Sequence, residues 1–511
     1  MSRERTAVKS SLIGILSQFL TLIIKFIVRT IIIRYLGREI LGLDAVIIDL
    51  ISMLSLADMG INTAMLYRLY QPVVNQEQAR IAQLMASYRF IFRTIAGVIA
   101  AIGLVLSCFL PLFIKGLSYS WFYIYGAYYL QLLAIVASYL FSYQRILLDA
   151  DQKSYLNMLI DMLTFLGFGI VEILALLVFK EYFAYLILAV IQPLGANLII
   201  SWRIKALYGQ EITQGKVKKA DLRQLFLDAK EVLVNKIAGY IYNSTDSLVI
   251  SVALGTAFVG LMSNYRYLSR AMISLVNSMM AAMQSLIGNF LNSNHDQKRT
   301  FAVLQYYSFV RFIVGGVAFV VIVSCSQDFI LLWTGKREYL LSLWVPLLMM
   351  VDFYFGVMLG PLSEYLLGLG MFKRTRQIST VGAVVNILLS LGCVWTIGYL
   401  GVLIGTVISQ AIMWSLDVYS VFGTIFKANS SWLKIYLQDQ FKYLGIIFCA
   451  TGLVLLSANY LFKIDYFSTI TRLISEGLLA VLFFGLFTFL TFRKTPNYGY
   501  VLALLKKILA R

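Results

Sequence analysis

Basic residues spaced four positions apart lie within two largely apolar stretches of this 511-residue sequence. Lys25 and Arg29 lie in KFIVRTIIIRYLG, and Arg266 and Arg270 lie in YRYLSR. Residues four apart share one face of a helix, so each pair would present two cations to the same space. Guanidinium groups bind phosphate-type anions in a bidentate manner. The spacing therefore predicts anion binding within an apolar environment.

Other charged residues lie at a similar depth in apolar segments. Arg311 is a further central cation, and Asp49 and Asp352 are the central acids. Because the central cations outnumber these acids, we expect surplus positive charge, which an anionic substrate would neutralise. The alternative is internal neutralisation, in which each cation pairs with a carboxylate and locks two helices together. Arg34 and Asp44 are better explained as residues at the membrane surface.

The composition indicates a membrane protein. The chain is 60% hydrophobic and 13% charged, with a mean hydropathy of +0.80, whereas soluble domains contain about 25% charged residues. Apolar runs recur along nearly the whole chain, each long enough to cross about 30 Å of hydrocarbon. We therefore predict an all-α polytopic membrane protein.

Fourteen membrane-spanning helices are predicted. They cover residues 10–36, 40–68, 81–114, 119–146, 155–179, 182–207, 230–253, 257–290, 300–333, 341–370, 376–398, 400–424, 437–461 and 469–492. Lys and Arg are concentrated in alternate loops, which places both termini in the cytoplasm. The net charge of +18 is therefore mostly a topology signal, and no nucleic-acid partner is expected. The basic tail 498–511 is interpreted as a helix lying on the inner membrane surface.

A sequence repeat indicates two related halves. LGREILGL (36–43) matches LGTAFVGL (254–261) at an offset of 218 residues, and both copies follow the first span of a predicted group of six. We therefore predict two pseudo-symmetric six-helix lobes, residues 1–207 and 230–424, related by an axis along the membrane normal. The basic linker 208–229 joins them, and residues 425–511 add two helices and a cytoplasmic tail.

Residues for metal or nucleophilic chemistry are sparse. The four cysteines are isolated in apolar segments, and the single histidine, His295, lies in a polar loop. These patterns favour neither a zinc site nor a catalytic triad, so no cofactor and no metal are expected. No loop on the predicted outer side is long enough for a sugar-processing site, and the only DxD pattern, Asp149–Asp151, lies in a predicted inner loop. We therefore predict a transporter rather than an enzyme.

Several segments resemble a known transporter family. LSLADMGINTAMLYRLYQPV (54–73), NKIAGYIYNSTDSLVISVALG (235–255) and VGLMSNYRYLSRAM (259–272) are similar to Wzx-type polysaccharide repeat-unit flippases. These belong to the superfamily that also contains MATE drug exporters and MurJ-type flippases. The resemblance extends from about residue 5 to residue 425.

The resemblance implies a function and a site. Such a protein moves undecaprenyl-diphosphate-linked oligosaccharide from the inner to the outer leaflet of the bacterial cytoplasmic membrane by alternating access. It implies cavity cations on spans 1 and 8, which fall on Lys25, Arg29, Arg266 and Arg270, and Arg311 is added from its depth. If H⁺ or Na⁺ coupling applies, the acids to test are Asp49, Asp58, Asp246 and Asp352. Membrane lipids, a polysaccharide polymerase and other assembly proteins are the expected partners.

Two related transporters remain as alternatives. A peptidoglycan-precursor flippase shares the fold and the cationic cavity. A MATE-like drug exporter carries organic cations, so it would need an acidic cavity, and the surplus of cations argues against it.

Overall fold

The computed structural model describes residues 3–54, 58–210, 212, 215–218, 222, 244–293, 296–461 and 469–500. Throughout these ranges the chain is almost entirely helical, and they contain no β-strand. The chain divides into two compact units, Met1–Gly260 and Leu261–Arg511. The prediction of an all-α polytopic protein is confirmed.

Ten helices lie within the described residues of the first unit. They are α1 (Arg3–Tyr35), α2 (Gly37–Leu54), α3 (Asp58–Val74), α4 (Gln78–Ser107), α5 (Leu110–Phe113), α6 (Trp121–Ser142), α7 (Arg145–Ala150), α8 (Ser154–Phe179), α9 (Tyr182–Tyr208) and α10 (Ser244–Leu254). Helix α11 (Thr256–Ser293) begins in this unit and continues into the second. Polar caps mark some boundaries: the Ser120 side chain accepts a hydrogen bond from the Tyr123 amide at 3.3 Å, where α6 begins.

The described part of the second unit continues with six long helices. They are α12 (Gln297–Thr334), α13 (Trp344–Gly368), α14 (Phe372–Ile397), α15 (Tyr399–Thr424), α16 (Ser430–Leu461) and α17 (Thr469–Phe492). Helix α12 begins where the Asp296 carboxylate accepts a hydrogen bond from the Lys298 amide at 2.9 Å. It ends at Gly335, whose φ of +68° is the left-handed conformation common after a helix C-terminus.

Eleven helices among the described residues are long and apolar enough to cross a membrane. They coincide with eleven of the fourteen predicted spans. Of the other three, the span predicted at 40–68 falls on α2 and α3, and the one at 257–290 falls on α11. The third, 230–253, lies largely outside the described residues, as do most of the linker 208–229 and the end of the basic tail.

Contacts between helices define the packing within each unit. In the first unit α1 packs against α8, and α6 packs against α4 and α9. In the second unit α12 contacts α13, α16 and α17. The two C-terminal helices therefore attach to the second unit through α12. The lobes predicted at 1–207 and 230–424 remain a prediction, since the linker between them is mostly outside the described residues.

The two copies of the sequence repeat adopt the same local structure and contact each other. Gly37 before α2 and Gly255 before α11 both have positive φ, +79° and +93°. Five residues later, Gly42 and Gly260 lie where the two helices cross. A methyl group on Gly42 would overlap the carbonyl of Thr256, and one on Gly260 would overlap the carbonyl of Arg38. The crossing is reciprocal, because Arg38 and Thr256 are themselves equivalent in the repeat.

The segment that follows α5 fixes this crossing. The Thr256 amide donates to the Lys115 carbonyl at 2.9 Å, and the Lys115 amide donates to Thr256 Oγ1 at 2.9 Å. The Glu39 carboxylate accepts from both the amide and the hydroxyl of Ser118, at 2.8 and 3.0 Å. One short segment therefore holds both α2 and the start of α11.

Candidate functional site

Helix α1 carries Lys25 at the middle of its membrane-spanning part, Leu16–Tyr35. The Lys25 side chain is exposed, and its ammonium lies 6.0 Å from the centroid of the Phe165 ring on α8. The buried carboxyl group of Glu172, also on α8, acts on it electrostatically. No carboxylate lies within ion-pair distance of Lys25 among the residues whose side chains the structure describes.

Arg29, one turn further along α1, lies near a hydrogen-bonded carboxylate. Its charge acts on Asp44 of α2. Asp44 Oδ1 accepts hydrogen bonds from the Tyr182 hydroxyl at 2.6 Å and from Gln131 Nε2 at 3.0 Å. Gln131 Nε2 also donates to the Tyr182 hydroxyl, at 2.8 Å. Helices α1, α2, α6 and α9 therefore meet in one polar cluster.

This cluster contains more acid than the sequence analysis expected. Asp49 is 4% exposed on α2, and its charge also acts on Asp44. Asp44 was assigned to a membrane surface, and Glu172 was not singled out at all. With both included, two cations face three carboxylates. The surplus of positive charge predicted from the sequence is therefore not present in this cluster.

In the second unit, α11 carries Arg266 and Arg270 one turn apart. Arg266 is half-buried and Arg270 is exposed, and both make interactions within the protein. Their spacing places both guanidinium groups on one side of α11, as the sequence predicts.

Arg311 has a different environment. It is 2% exposed, and Nη2 donates to Glu364 Oε1 at 2.5 Å and to the Tyr307 hydroxyl at 2.7 Å. Nη1 donates to the Val357 carbonyl at 3.1 Å. The guanidinium lies against Gly360, where any side chain would overlap it. This placement favours a role in locking α12 to α13, and the predicted substrate contact at Arg311 gains no support from it.

The acids predicted for ion coupling lie apart along the chain. Asp246 is buried on α10, and Asp352 is half-buried on α13. Asp58 begins α3, and its side chain is outside the described residues. Asp49 acts electrostatically on Asp44, the carboxylate on which the Arg29 charge also acts.

Polar clusters that the sequence analysis missed lie elsewhere in each unit. In the second unit, Asn386 Nδ2 on α14 donates to Thr406 Oγ1 on α15 at 2.9 Å. In the first unit, Arg145 Nη1 pairs with Asp161 at 2.7 Å, and Asn157 Nδ2 donates to Asp149 at 3.0 Å. Burial raises the pKa of Asp149, although Asn157 and Arg145 act in the opposite direction. In the sequence, isolated polar residues within apolar runs are the only indication of these clusters.

Comparisons with known proteins agree with this architecture. Residues 7–284 match the family described as "Polysaccharide biosynthesis protein", which is more than half of the chain. A comparison with curated proteins gave no match.

Solved structures of transporters share the fold. "Lipid II flippase MurJ, inward closed conformation" has a TM-score of 0.67 at 15% identity, covering 95% of this chain and 99% of that one. A multidrug resistance MATE family transporter of the MOP superfamily, in an inward-facing conformation, has a TM-score of 0.63 at 13% identity, covering 83% and 99%. A MOP superfamily transporter from Pyrococcus furiosus has a TM-score of 0.54 at 15% identity, covering 85% and 97%.

At these sequence identities the similarity to solved structures establishes the fold. The family match confirms the family relationship predicted from the sequence. The chain belongs to the polysaccharide biosynthesis protein family, and its fold is the one that these membrane transporters share.

Proposed function

We propose that this protein moves undecaprenyl-diphosphate-linked oligosaccharide repeat units from the inner to the outer leaflet of the bacterial cytoplasmic membrane by alternating access. Both termini would lie in the cytoplasm, and the product would serve the synthesis of a capsule, an exopolysaccharide or an O-antigen. A polysaccharide polymerase and other assembly proteins are the proposed partners.

The environment of Lys25 is the observation that carries the proposal. A lysine at the centre of a membrane-spanning helix costs roughly 2.5–3.5 kcal/mol by insertion scales. Such residues face a bundle interior or a water-filled cavity and mark substrate pathways. Lys25 is exposed beside the Phe165 ring, and Glu172 acts on it electrostatically without forming an ion pair among the described residues. The ammonium is therefore available to an incoming diphosphate.

The carboxylates around Arg29 suggest how the anion is released. Asp44 and Asp49 compete with a diphosphate for the basic side chains. Binding of H⁺ or Na⁺ to these acids would therefore favour substrate binding, and loss of that ion would favour release. We therefore propose coupling to H⁺ or Na⁺, with Asp44 added to Asp49, Asp58, Asp246 and Asp352 as acids to test. The second cation pair, Arg266 and Arg270, is also proposed to contact the anionic substrate.

The two C-terminal helices offer a surface for the lipid tail. A groove of about 540 Å³ between α16 and α17 is lined mainly by apolar groups, including Ile446, Leu453, Leu456 and Phe487. A polyprenyl chain is apolar along its whole length, so it can lie in such a groove while the head group crosses in a hydrated path.

Reconstitution of the purified protein in liposomes tests the proposal. The assay measures transfer of an undecaprenyl-diphosphate-linked oligosaccharide between leaflets. We expect transfer by the wild type, and a loss of at least tenfold in Lys25→Ala with Arg29→Ala and in Arg266→Ala with Arg270→Ala. Lys336→Ala with Arg337→Ala is the matched control, because it removes one lysine and one arginine from an exposed segment.

The outcomes separate the alternatives. Full activity in a folded cavity variant would show that the cations are internal pairs. Transfer of a peptidoglycan precursor but not of the oligosaccharide lipid would favour the precursor flippase. Export of a cationic dye without lipid transfer would favour a drug exporter.

A further inference from the structure

A polar cavity of about 290 Å³ lies between α12 and α17. Ser324, Gln327 and Asp328 of α12 and Arg472 and Glu476 of α17 supply its polar lining. Asp328 is six residues from the end of α12, and Arg472 is three residues from the start of α17. At 1.5 Å per residue, Asp328 and Arg472 lie within about 10 Å of the helix ends. Leu341 and Leu343, from the segment between α12 and α13, also line it.

Two carboxylates in this cavity share one guanidinium. Arg472 Nε lies 2.7 Å from Asp328 Oδ2 and 3.1 Å from Glu476 Oε1. Asp328 is 9% exposed and Glu476 is 2% exposed. With all three groups ionised, the cluster carries one net negative charge. An uncompensated buried charge is costly, so a counter-cation or a proton is required.

Oxygen atoms in the cavity are left without hydrogen-bond partners. These are Glu476 Oε2 and Ser324 Oγ, which find no donor or acceptor among the residues that the structure describes. Ser324 is 5% exposed. Buried polar atoms are normally satisfied, so such atoms beside a cavity indicate a bound species. Carboxylate and hydroxyl oxygens are ligands for hard cations.

The Gln327 side chain forms hydrogen bonds that hold one wall of the cavity in place. Gln327 Nε2 donates to the Leu341 carbonyl at 2.8 Å, and Gln327 Oε1 accepts from the Tyr265 hydroxyl at 3.3 Å. The Tyr265 hydroxyl in turn accepts from the Leu341 amide at 2.9 Å. These bonds hold the segment after α12 in place, so the cavity is preformed.

We propose that this cavity is a binding site for one Na⁺ ion, coordinated by Glu476 Oε2, Ser324 Oγ, the Asp328 carboxylate and water. A single net negative charge matches a monovalent cation, whereas a divalent ion would leave positive charge beside Arg472. The volume accommodates the ion with several waters, each of which occupies about 30 Å³ in the liquid. The site uses none of the acids considered for coupling above, and the inference does not depend on which lipid is transported.

Equilibrium binding of ²²Na⁺ to the purified full-length protein tests the proposal. The assay runs in detergent at constant ionic strength with choline as the replacement cation. We expect saturable binding by the wild type and one fewer Na⁺ per protein in Glu476→Gln. Glu338→Gln is the matched control, because Glu338 is exposed and lies 3.8 Å from Lys336; it should bind as the wild type does.

A second variant controls for the possibility that Glu476→Gln misfolds. Ser324→Ala removes one ligand without changing the charge, and we expect it to weaken Na⁺ binding at this site about tenfold. Equal Na⁺ binding by the wild type and both variants would overturn the proposal, as would the absence of saturable binding in the wild type. Because no lipid is present, failure here is distinguishable from failure of the proposed transport.

Discussion

At the scale of single residues, charges at similar depth in the membrane have different environments. Arg311 is enclosed by Glu364, Tyr307 and the Val357 carbonyl, whereas Lys25 is exposed beside an aromatic ring. Helical spacing gives the depth of a residue but not the identity of its neighbours. Glu364 is 53 residues from Arg311 in the chain, so its partnership could not be predicted from the sequence.

Removing the Arg311 charge should destabilise the second unit. In Arg311→Met the Glu364 carboxylate loses its ion-pair partner, and breaking one side of a buried pair costs about 3–5 kcal/mol. We expect a clear fall in the midpoint of thermal unfolding, measured by intrinsic fluorescence in detergent. Lys336→Met, which breaks an exposed pair with an N–O distance of 3.8 Å, should change the unfolding free energy by less than about 1 kcal/mol.

The double variant Arg311→Met with Glu364→Gln distinguishes lost charge pairing from lost packing. Because it leaves no uncompensated charge, it should recover part of the stability lost in Arg311→Met. A double variant no more stable than Arg311→Met would contradict the ion-pair explanation.

At the scale of helices, the crossing of α2 and α11 depends on the absence of side chains. Small residues let the backbones of two membrane helices approach closely. Gly42→Ala or Gly260→Ala would place a methyl group against a backbone carbonyl, which cannot move aside as a side chain can. We expect each variant to be less stable by about 1–3 kcal/mol, measured as a fall in the unfolding midpoint.

Gly167→Ala on α8 is the matched control for this substitution. Its added methyl group meets no atom within 4 Å, and alanine is favoured over glycine in a helix by about 1 kcal/mol. It should therefore leave the stability unchanged or raise it. An equal loss of stability in all three variants would contradict the explanation that the loss comes from the crossing.

The helices were largely predictable from the sequence, while their interruptions were not. Apolar runs of spanning length determine where long helices form, and eleven predicted spans have matching helices. The short helices α5 and α7 depend on local turns rather than on periodicity.

The candidate site was only partly predictable for a related reason. The i,i+4 spacing placed Lys25 and Arg29 on one side of α1, but the carboxylates near them come from α2 and α8. The same limitation applies to the Na⁺ site, where Asp328 is more than a hundred residues from Arg472 and Glu476. Of these three residues, only Arg472 and Glu476 have a helical i,i+4 spacing that is visible in the sequence.

At the scale of the whole molecule, the membrane orientation is a testable consequence of the charge distribution. We expect Lys216→Cys to react with an impermeant thiol reagent only from the cytoplasmic side, and Lys336→Cys only from the outside. Both positions are exposed and outside the long helices. The measurement uses intact cells and inverted vesicles in a background with the four native cysteines replaced by serine. Labelling of both positions from the same side would contradict the predicted topology.

The reciprocal crossing also constrains how the sequence can evolve. Each glycine rests on a carbonyl of the other copy of the repeat, so neither copy can acquire a side chain there without displacing the other's backbone. Most duplicated segments diverge independently once their roles differ, and LGREILGL and LGTAFVGL already differ at four of their eight positions. Gly42 and Gly260 cannot diverge independently in this way, so we expect selection to act on them as a single site.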